Sequence, residues 1–375
     1  MAALICPHQP SCPGCPRLAQ PGPEPDALAR LTALAVRLGA APPEVQRGPS
    51  TGFRHRARLA IRGRADAPKL GIFESGTHRA VHIPRCLVHH PVINRVAALV
   101  RDCLARQRIP TYSDQAHAGL VRYVQIVVER QTELAQVSLV TNQTAPEGLD
   151  GLLADVQSAI GAQLHGLWWN GNPERTNTIL GPHWRHIAGQ QHVRDRSGSA
   201  QLFYPPHAFG QSNLALAMQL AADVRALSRP GERVLELYAG VGAIGLGLAA
   251  SAGELLLNEL GEGSLHGLEL GVAALPGEQA AKVRVVPGPA GDAAPLVAGR
   301  DFVIADPPRK GLDAALVQAL RASPPARFAY VSCDAGSFER DTAELEGRFR
   351  LAALKVYDLF PHTEHVESVA VFERR

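Results

Sequence analysis

Three cysteines with closely spaced thiols open the chain. Cys6, Cys12 and Cys15 are spaced as C-x5-C-x2-C, and a proline follows each of them. Because proline fixes φ and interrupts regular structure, these thiols are expected on one stiff loop. In a cytosolic protein such a cluster indicates a metal or iron–sulfur site before it indicates disulfides.

The cysteine loop lacks one ligand, because zinc and iron–sulfur clusters normally take four. Cys86, in the segment HIPRCLVHH, is the best fourth ligand. A zinc site could instead recruit a histidine. The candidate histidines are His8, His89 and His90. The chemistry of these residues alone leaves both interpretations open.

The two remaining cysteines have different surroundings. Cys103 shares a predicted helical face with Val96 and Val100, which is typical of a core thiol. Cys333 ends a strand-like segment, Phe328–Ser332, and precedes a predicted helix whose dipole would favour a thiolate. Many cysteines at strand ends simply pack, so a favoured thiolate and a packed thiol both remain open at this position.

A glycine loop is the strongest ligand-binding signal. Val234–Leu246, with the sequence VLELYAGVGAIGL, predicts a buried strand, a turn containing Gly240 and Gly242, and then a helical run. Glycine suits such a turn because it reaches positive φ and lets a ligand approach the backbone. Glu236 on the strand favours a cationic ligand such as S-adenosylmethionine over a pyrophosphate. Gly245 completes a G-x-G-x-x-G spacing, so a nucleotide remains an alternative.

The strand predicted after this loop, Leu255–Leu257, ends at Asn258 and Glu259. In related folds an acid at this point caps a ribose diol. A solvated strand end explains Glu259 equally well.

A further buried strand, in DFVIADPPRKGL at residues 301–312, ends at Asp306. Ligands of open α/β sheets bind beyond the carboxyl ends of strands, so a target base is expected to meet a methyl donor here. Arg309 stands where amino-group methyltransferases have an aromatic residue, which disfavours chemistry on an exocyclic nitrogen. The C-terminal segment YDLFPHTEHVESVAVF adds titratable groups near the same edge. They are His362, Glu364, His365 and Glu367.

Length and composition are those of a two-domain globular protein. The chain has 375 residues, of which 46% are hydrophobic, and no apolar run reaches the roughly 20 residues of a membrane span. No signal peptide opens the chain, so we expect a cytoplasmic protein. We also expect no membrane partner and a monomer. A net charge of +3 permits a nucleic-acid partner without demonstrating one.

The elements that must position these groups follow from hydrophobic periodicity. Asp26–Leu38 predicts a capped helix ended by Gly39, and Val121–Glu129 with Leu134–Thr141 predicts a hairpin. Residues 194–200 are a linker or hairpin tip, after which strands and helices alternate. This predicts an α/β protein with an N-terminal α+β region at 1–200 and a doubly wound, Rossmann-like domain at 201–375. In the N-terminal region, Gly52–Ile61 is predicted to be a strand with three arginines on one side. These arginines could bind phosphates, or this side of the strand could simply face solvent.

Five motifs in order resemble the RNA uracil-5-methyltransferase family. They are F-x-Q-x-N at 209–213, E-L-Y-x-G-x-G at 236–242, D-P-P-R-K-G at 306–311, S-C-D at 332–334 and H-V-E at 365–367. The likeness extends to the N-terminal half through the cysteine spacing, GFRHRA, LGIFESGTH and GLVRYVQI. An RNA cytosine-5-methyltransferase is a rival, but those enzymes carry a further cysteine in the Asp-Pro motif, and DPPRKG has none.

The resemblance implies an S-adenosylmethionine-dependent methyltransferase that acts on RNA. Its nucleophile would be Cys333 and its base Glu367, and a [4Fe-4S] cluster would bind the first three cysteines and Cys86. The residues implied to bind S-adenosylmethionine are Gln211, Tyr238, Gly240, Gly242, Glu259 and Asp306. Pro289 occupies the usual place of an adenine-contacting acid, for which Asp292 is a possible substitute.

The chain starts almost at the cysteine loop, so no accessory β-barrel module is expected before it. Its length, the absent barrel and the cysteine loop favour the branch that modifies 23S ribosomal RNA. A transfer-RNA enzyme is the alternative within the family. A cluster-bearing RNA-binding factor without activity is the alternative outside it, although intact Cys333 and Glu367 argue against that.

The cysteine framework predicts that anaerobically purified protein is brown and contains iron and sulfide. Cys86→Ser should bleach it and destabilise the N-terminal half more than the methyltransferase half, because one ligand of a cluster that links distant segments is lost. Metal analysis and absorption spectra measure this. Stoichiometric zinc without iron would contradict the prediction.

Overall fold

A computed structural model describes residues 4–18, 20 and 22–375. The chain forms two compact units. The first comprises Met1–Ala19 with Pro49–Val193, and the second comprises Gln20–Gly48 with Arg194–Arg375. The part of the chain described here contains no helix that is long and apolar enough to cross a membrane.

The N-terminal unit is built on a seven-stranded mixed sheet. With strands numbered along the whole chain, they are β2 (Arg56–Arg64), β3 (Ala67–Phe73), β4 (Ala80–His82), β5 (Val121–Val128), β6 (Ala135–Thr141), β7 (Leu164–Gly171) and β8 (His183–Gly189). The spatial order is β4-β3-β2-β5-β6-β7-β8, and all neighbours are antiparallel except β6 and β7. The hairpin predicted around residues 121–141 is confirmed as β5 and β6.

Two helices cover one face of this sheet. They are α2 (Pro91–Arg106) and α3 (Asp150–Ile160), the latter followed by a 3-10 turn at Gly161–Gln163. Alternate residues of the strands, such as Leu59, Val124 and Val137, join the two helices in one apolar core. Cys103 of α2 lies in this core with no exposed surface, which confirms it as a core thiol.

The second unit is built on an eight-stranded sheet and a small hairpin. Its strands are β1 (Glu44–Gln46), β9 (Val193–Ser197), β10 (Ala200–Tyr204), β11 (Arg233–Leu237), β12 (Glu254–Glu259), β13 (Val283–Pro287), β14 (Phe302–Ala305), β15 (Arg327–Ser332), β16 (Phe349–Tyr357) and β17 (Glu367–Arg374). Its helices are α1 (Pro25–Arg37), α4 (Leu214–Arg225), α5 (Glu262–Ala273), α6 (Gly277–Ala280), α7 (Ala290–Ala293), α8 (Ala314–Ala322) and α9 (Ala335–Leu345), with 3-10 turns at Gly245–Leu248 and Ala294–Val297.

The large sheet has the order β1-β16-β17-β15-β14-β11-β12-β13. The pairs of β11 with β12 and β14, of β12 with β13 and of β14 with β15 are parallel, whereas β17 runs antiparallel to both of its neighbours. The chain order therefore reverses between β11 and β14, because β12 and β13 lie on one side of β11 and β14 and β15 lie on the other. In a doubly wound sheet such a switch point leaves a crevice at the carboxyl ends of the strands.

Residues 20–48 belong to this second unit, although the sequence-based division at residue 200 places them with the N-terminal region. The physical reason is packing. Leu31 and Leu34 of α1 are buried in the core of the large sheet, and β1 pairs with β16. The helix predicted at 26–38 is confirmed as α1, whose first turn is capped by the Glu24 carboxylate accepting the Ala27 N–H at 2.6 Å.

The helix expected after the glycine loop is not formed. The chain makes only a 3-10 turn at Gly245–Leu248. Gly245 presses against the buried carboxylate of Glu236, and an added Cβ at this position would lie 2.1 Å from Glu236 Oε2. Glycine is also a poor helix former, and both Gly245 and Gly247 fall within this segment.

Gly245→Ala should therefore destabilise the second unit by about 1–3 kcal/mol, because the methyl group has no space between Glu236 and Leu257. Urea unfolding followed by circular dichroism measures the change. Gly277→Ala is the matched control, since a Cβ at Gly277, on the first residue of α6, meets no atom within 4 Å. Equal midpoints for the two variants would show that the packing around Gly245 is wrong.

Candidate active site

A cavity of about 970 Å³ opens at the carboxyl edge of the large sheet. Its walls come from the turn after β11, the end of β12, the segment after β14, the end of β15 and the start of β17. All but one of the predicted cofactor and catalytic residues line it. These are Gln211, Tyr238, Gly240, Glu259, Asp306, Cys333 and Glu367. The fold thus brings together residues more than 150 positions apart in the chain.

Gly242 is the exception, because it packs inside the protein and does not line the cavity. It adopts φ +84°, and a Cβ there would collide with Leu246 and Leu268. Gly240, at φ +60°, faces the cavity and donates its N–H to Glu259 Oε2 at 2.8 Å. The two glycines therefore differ in role, because Gly242 permits the packing of the turn while Gly240 contributes to the cavity wall.

Glu236 does not line the cavity, although the charges of Asp306 and Glu259 in the lining act on it. Its side chain is buried, and Oε2 accepts the Gly245 N–H at 2.9 Å. Burial raises the pKa of this carboxyl to about 8. The residue braces the glycine turn from within the protein.

Glu259 does line the cavity, at the end of β12. Its Oε1 accepts the Gly261 N–H at 2.5 Å, and its Oε2 accepts the Gly240 N–H. A carboxylate has about four acceptor positions, so two stay available to a ligand hydroxyl. Pro289 also lines the cavity. Asp292 is exposed and lies outside the lining, so the structure gives no support to Asp292 as the acid that contacts adenine.

Tyr238 adopts φ +60°, and its hydroxyl donates to Asp313 Oδ2 at 3.0 Å. Lys310 binds the other oxygen of Asp313 at 2.8 Å. Asp313 lines the cavity and was missed by the sequence reasoning. The available signal was its position directly before α8, where an aspartate is a common helix cap.

The Cys333 thiol lies at the end of β15, as predicted, but its acidity is not enhanced. Burial raises its pKa to about 11, and the charges of Glu367 and Asp306 act in the same direction. The charge of Arg309 opposes them. The expectation that the dipole of the following helix dominates is therefore wrong, because desolvation and neighbouring carboxylates outweigh it.

Asp306 and Glu367 form an electrostatically coupled pair in the same cavity. Burial raises the pKa of both carboxyls, and the negative charge of Asp306 raises that of Glu367 further. Glu367 is 2% exposed. Two adjacent carboxylates cannot both ionise easily, so one proton stays with the pair well above the usual carboxyl range.

The other titratable groups of the C-terminal segment are placed differently. His365 lines the cavity, where its Nε2 accepts a hydrogen bond from Arg309 at 2.9 Å, and burial and Arg309 lower its pKa. His362 is buried outside the lining, and Glu364 is exposed. The Nε2 lone pair of His365 is therefore engaged by a cation.

In the N-terminal unit, the four predicted cluster ligands interact electrostatically. Burial raises the pKa of the Cys15 thiol to about 11, and the charges of Cys86, Cys12 and Cys6 add to this. Cys12 and Cys86 also pack against the apolar core. Among the residues that the structure describes, no group of three or more His, Cys, Asp or Glu side chains has an arrangement that could hold a metal ion.

The histidines considered for a zinc site have partners outside the cysteine loop. His8 Nε2 accepts the Arg85 N–H at 3.2 Å, and His89 Nδ1 is 3.2 Å from Asn94 Oδ1. His90 Nδ1 accepts the Val92 N–H at 3.4 Å.

The sheet order and the cavity at its switch point define a doubly wound, Rossmann-like α/β fold with a ligand site. The family model described as tRNA (Uracil-5-)-methyltransferase matches residues 299–375. An uncharacterized RNA methyltransferase of Protochlamydia amoebophila is 34% identical over 379 aligned residues, covering 99% of this chain and 98% of that protein. One from Geobacter sulfurreducens is 31% identical, covering 100% of this chain and 78% of that protein.

Among solved structures, the tRNA (uracil-54, C5)-methyltransferase of Pyrococcus abyssi in complex with S-adenosyl-L-homocysteine is similar, with a TM-score of 0.79. It is 25% identical, and the match covers 97% of this chain and 86% of that one. The chain belongs to the RNA uracil-5-methyltransferase family.

The charges around Cys333 predict its reactivity. Asp306→Asn should lower the pKa of the thiol and raise its alkylation by iodoacetamide at pH 8 by about three- to tenfold, the effect of half to one pKa unit. Peptide mass spectrometry resolves Cys333 from the buried Cys103. Glu364→Gln removes an exposed charge outside the cavity lining and should leave the rate unchanged. Equal rates in all three proteins would contradict the assigned electrostatics.

Proposed function

We propose that the chain transfers a methyl group from S-adenosylmethionine to carbon 5 of a uridine in RNA, through a covalent adduct with Cys333. The observation that carries this proposal is that one thiol and two coupled carboxyls line the same cavity. Carbon 5 of uracil is too weak a nucleophile to take a methyl group directly. The chemistry therefore requires a nucleophile and a base, which are the groups present.

The cavity suits the methyl donor. Its volume of about 970 Å³ is at the upper end of the usual range for small-molecule sites. We assign S-adenosylmethionine to the wall formed by Gln211, Tyr238, Gly240 and Glu259, with Asp306 at the junction with the target base. When bound, this donor supplies an electrophilic methyl group. The acceptor positions left on Glu259 are available to ribose hydroxyls.

Cys333 adds through Sγ to carbon 6 of the uracil ring in the proposed reaction. The new carbon–sulfur bond pushes the ring electrons into an enolate, whose carbon 5 attacks the methyl group. Arg309 is the neighbouring charge that favours the thiolate. Desolvation raises the pKa of the free thiol, so its deprotonation belongs to the catalytic cycle and not to the resting state. In the proposed reaction this proton passes to the neighbouring Asp306 carboxylate.

Glu367 then removes the proton from carbon 5, and the carbon–sulfur bond breaks to release the product. A base serves best when its pKa lies near the working pH, and burial beside Asp306 moves that of Glu367 upward in this direction. A uridine inside folded RNA must also leave its stack to enter the cavity.

We assign RNA recognition to the N-terminal unit. It carries 17 Lys and Arg against 10 Asp and Glu, whereas the second unit carries 21 against 25. The excess positive charge is appropriate for binding phosphates. The proposed substrate is 23S ribosomal RNA. Transfer RNA is the second candidate, favoured by the solved structure from Pyrococcus abyssi.

We also propose that Cys6, Cys12, Cys15 and Cys86 bind a [4Fe-4S] cluster. This proposal is supported by the spacing of the cysteines and by the electrostatic influence that the four thiols have on one another, although the described side chains are not arranged as a metal site. The positive charge of Arg54 acts on Cys86 and Cys15, as expected beside thiolates. The cluster would join the N-terminal loop to the segment before α2.

Glu367→Gln should accumulate methylated RNA covalently joined to the protein. The substitution keeps the size of the side chain but removes its basic carboxylate, and only product release needs that base. A denaturing gel detects the adduct as a slowly migrating band, and mass spectrometry locates the methyl group on the base. Turnover should fall by at least about a hundredfold.

Two control variants make the assignment testable. Cys333→Ala should form no band, alone or combined with Glu367→Gln. His365→Gln should turn over, because His365 accepts a hydrogen bond from Arg309 instead of acting as the base. An adduct trapped by His365→Gln, together with normal turnover of Glu367→Gln, would reverse the proposed roles.

A further inference from the structure

The sheet of the N-terminal unit has one face without a covering helix from its own unit. Its two helices and the core they form occupy the face that carries Leu59, Val124 and Val137. Because side chains alternate along a strand, the intervening residues belong to the opposite face. The register of four strand pairs aligns five of them in a line across the sheet. They are Arg58, Gln125, Ser138, Trp168 and His186.

This polar–aromatic row combines a cation, an amide, a hydroxyl and two polar rings. Arg58 Nε donates to Gln125 Oε1 at 2.8 Å. The rings of Trp168 and His186 lie 4.9 Å apart between centroids, and that of Trp184 lies 6.3 Å from Trp168. Trp168 and His186 are half-buried, so part of each ring reaches the surface.

The row contains three consecutive polar atoms without a hydrogen-bond partner. Within the described part of the chain, Ser138 Oγ, Trp168 Nε1 and His186 Nε2 are closed to water and bond to no protein group. Ser138 is 1% exposed. A buried polar atom without a partner is unfavourable, and native structures keep few of them. Three adjacent ones on neighbouring strands indicate a ligand that supplies the missing partners.

We propose that the polar–aromatic row binds an unstacked nucleobase of single-stranded RNA. This inference rests on the proposed function and adds a second subsite that is separate from the methyl-transfer cavity. The edge of the base exchanges hydrogen bonds with Trp168 Nε1, Ser138 Oγ and His186 Nε2, the three atoms that lack a partner. Rotation of the half-exposed Trp168 and His186 rings opens access to these atoms. Arg58 contacts the adjoining phosphate.

Charge and chemistry both favour this occupant. The unit carries a formal excess of seven positive charges, from 17 basic and 10 acidic residues, which suits a polyanion. Aromatic rings beside cations are the usual platform for single-stranded nucleic acid, because each base has a face to stack and an edge to bond. Duplex RNA offers neither, since its bases are already stacked and paired.

The test compares conservative variants for RNA binding by the full chain. The probe is a fluorescein-labelled single-stranded RNA of mixed sequence and about twelve nucleotides, followed by fluorescence anisotropy. Trp168→Phe keeps an aromatic ring but removes Nε1–H, and Ser138→Ala removes one hydroxyl. Each should weaken binding about fivefold, the effect of one lost hydrogen bond. Ser138→Ala should leave the melting temperature unchanged, because it removes a polar atom that has no partner in the free protein. Trp168→Phe also removes ring carbons, so it should lower the melting temperature, but by less than the same change at the more deeply buried Trp169.

Trp169→Phe is the matched control, one residue further along the same strand. Trp169 faces the helix-covered core, is 2% exposed, and donates Nε1–H to Thr141 Oγ1 at 2.8 Å. Its replacement should lower the melting temperature and leave the affinity of the folded protein for RNA unchanged.

Salt dependence separates base contacts from phosphate contacts. Arg58→Gln should reduce the slope of log affinity against log salt by about 0.7, the value for one phosphate contact with a single strand. Trp168→Phe should leave this slope unchanged. Annealing the probe to its complement should abolish the difference between Trp168→Phe and the parent protein.

The proposal is overturned if Trp168→Phe and Ser138→Ala bind the single strand as tightly as the parent protein does. If the parent protein still methylates uridine in that case, the proposed function stands and only the subsite is refuted. If the parent protein methylates no uridine, the proposed function is refuted. The binding data for the variants then show independently whether the polar–aromatic row binds RNA.

Discussion

The parallel register of β11 with β12 and β14 is the constraint on which the candidate site depends. Leu237 pairs with Asn258 on one side and with Ala305 on the other, so the three strands end at the same level. The residues that follow these strands then meet at one edge. The hydrogen bond from the Gly240 N–H to Glu259 ties two of these ends together. A slip of the register by one residue would turn every side chain to the other face and remove the cavity.

Burial governs the protonation of the reactive groups in that cavity. It raises the pKa of Cys333, and it raises those of Asp306 and Glu367 with it. The free protein therefore holds a protonated thiol beside a carboxyl pair that retains a proton near neutral pH. The proposed sulfonium ligand would add positive charge to the same cavity, which lowers the pKa of thiol and carboxyl alike. Donor binding and activation of the nucleophile are coupled in this scheme.

Charge is divided between the two units in a way that matches the proposed tasks. The N-terminal unit has an excess of seven basic residues, whereas the second unit has an excess of four acidic ones. A basic unit attracts phosphates along their length. Carboxylates of the second unit brace its glycine turn, as Glu236 does, and surround the thiol, as Asp306 and Glu367 do. Long-range attraction and local chemistry thus rest on different parts of the chain.

Motif spacing predicted seven of the residues that line the cavity, but it missed Asp313. The segments around Gly240, Asp306, Cys333 and Glu367 follow strands or turns, and the carboxyl ends of parallel strands converge in a doubly wound sheet. Local patterns likewise predicted α1 and the hairpin at 121–141, because capping and alternation depend on neighbours in sequence.

The direction of side chains and the degree of burial required the folded chain. Glu236 turns inward to the Gly245 N–H, and Cys333 loses acidity through desolvation, although its position before α9 indicated the opposite. The row from Arg58 to His186 crosses five strands, and no spacing along the sequence reveals it. Sequence patterns report periodicity and chain neighbours, whereas cross-strand partners and dielectric surroundings arise from contacts between distant segments.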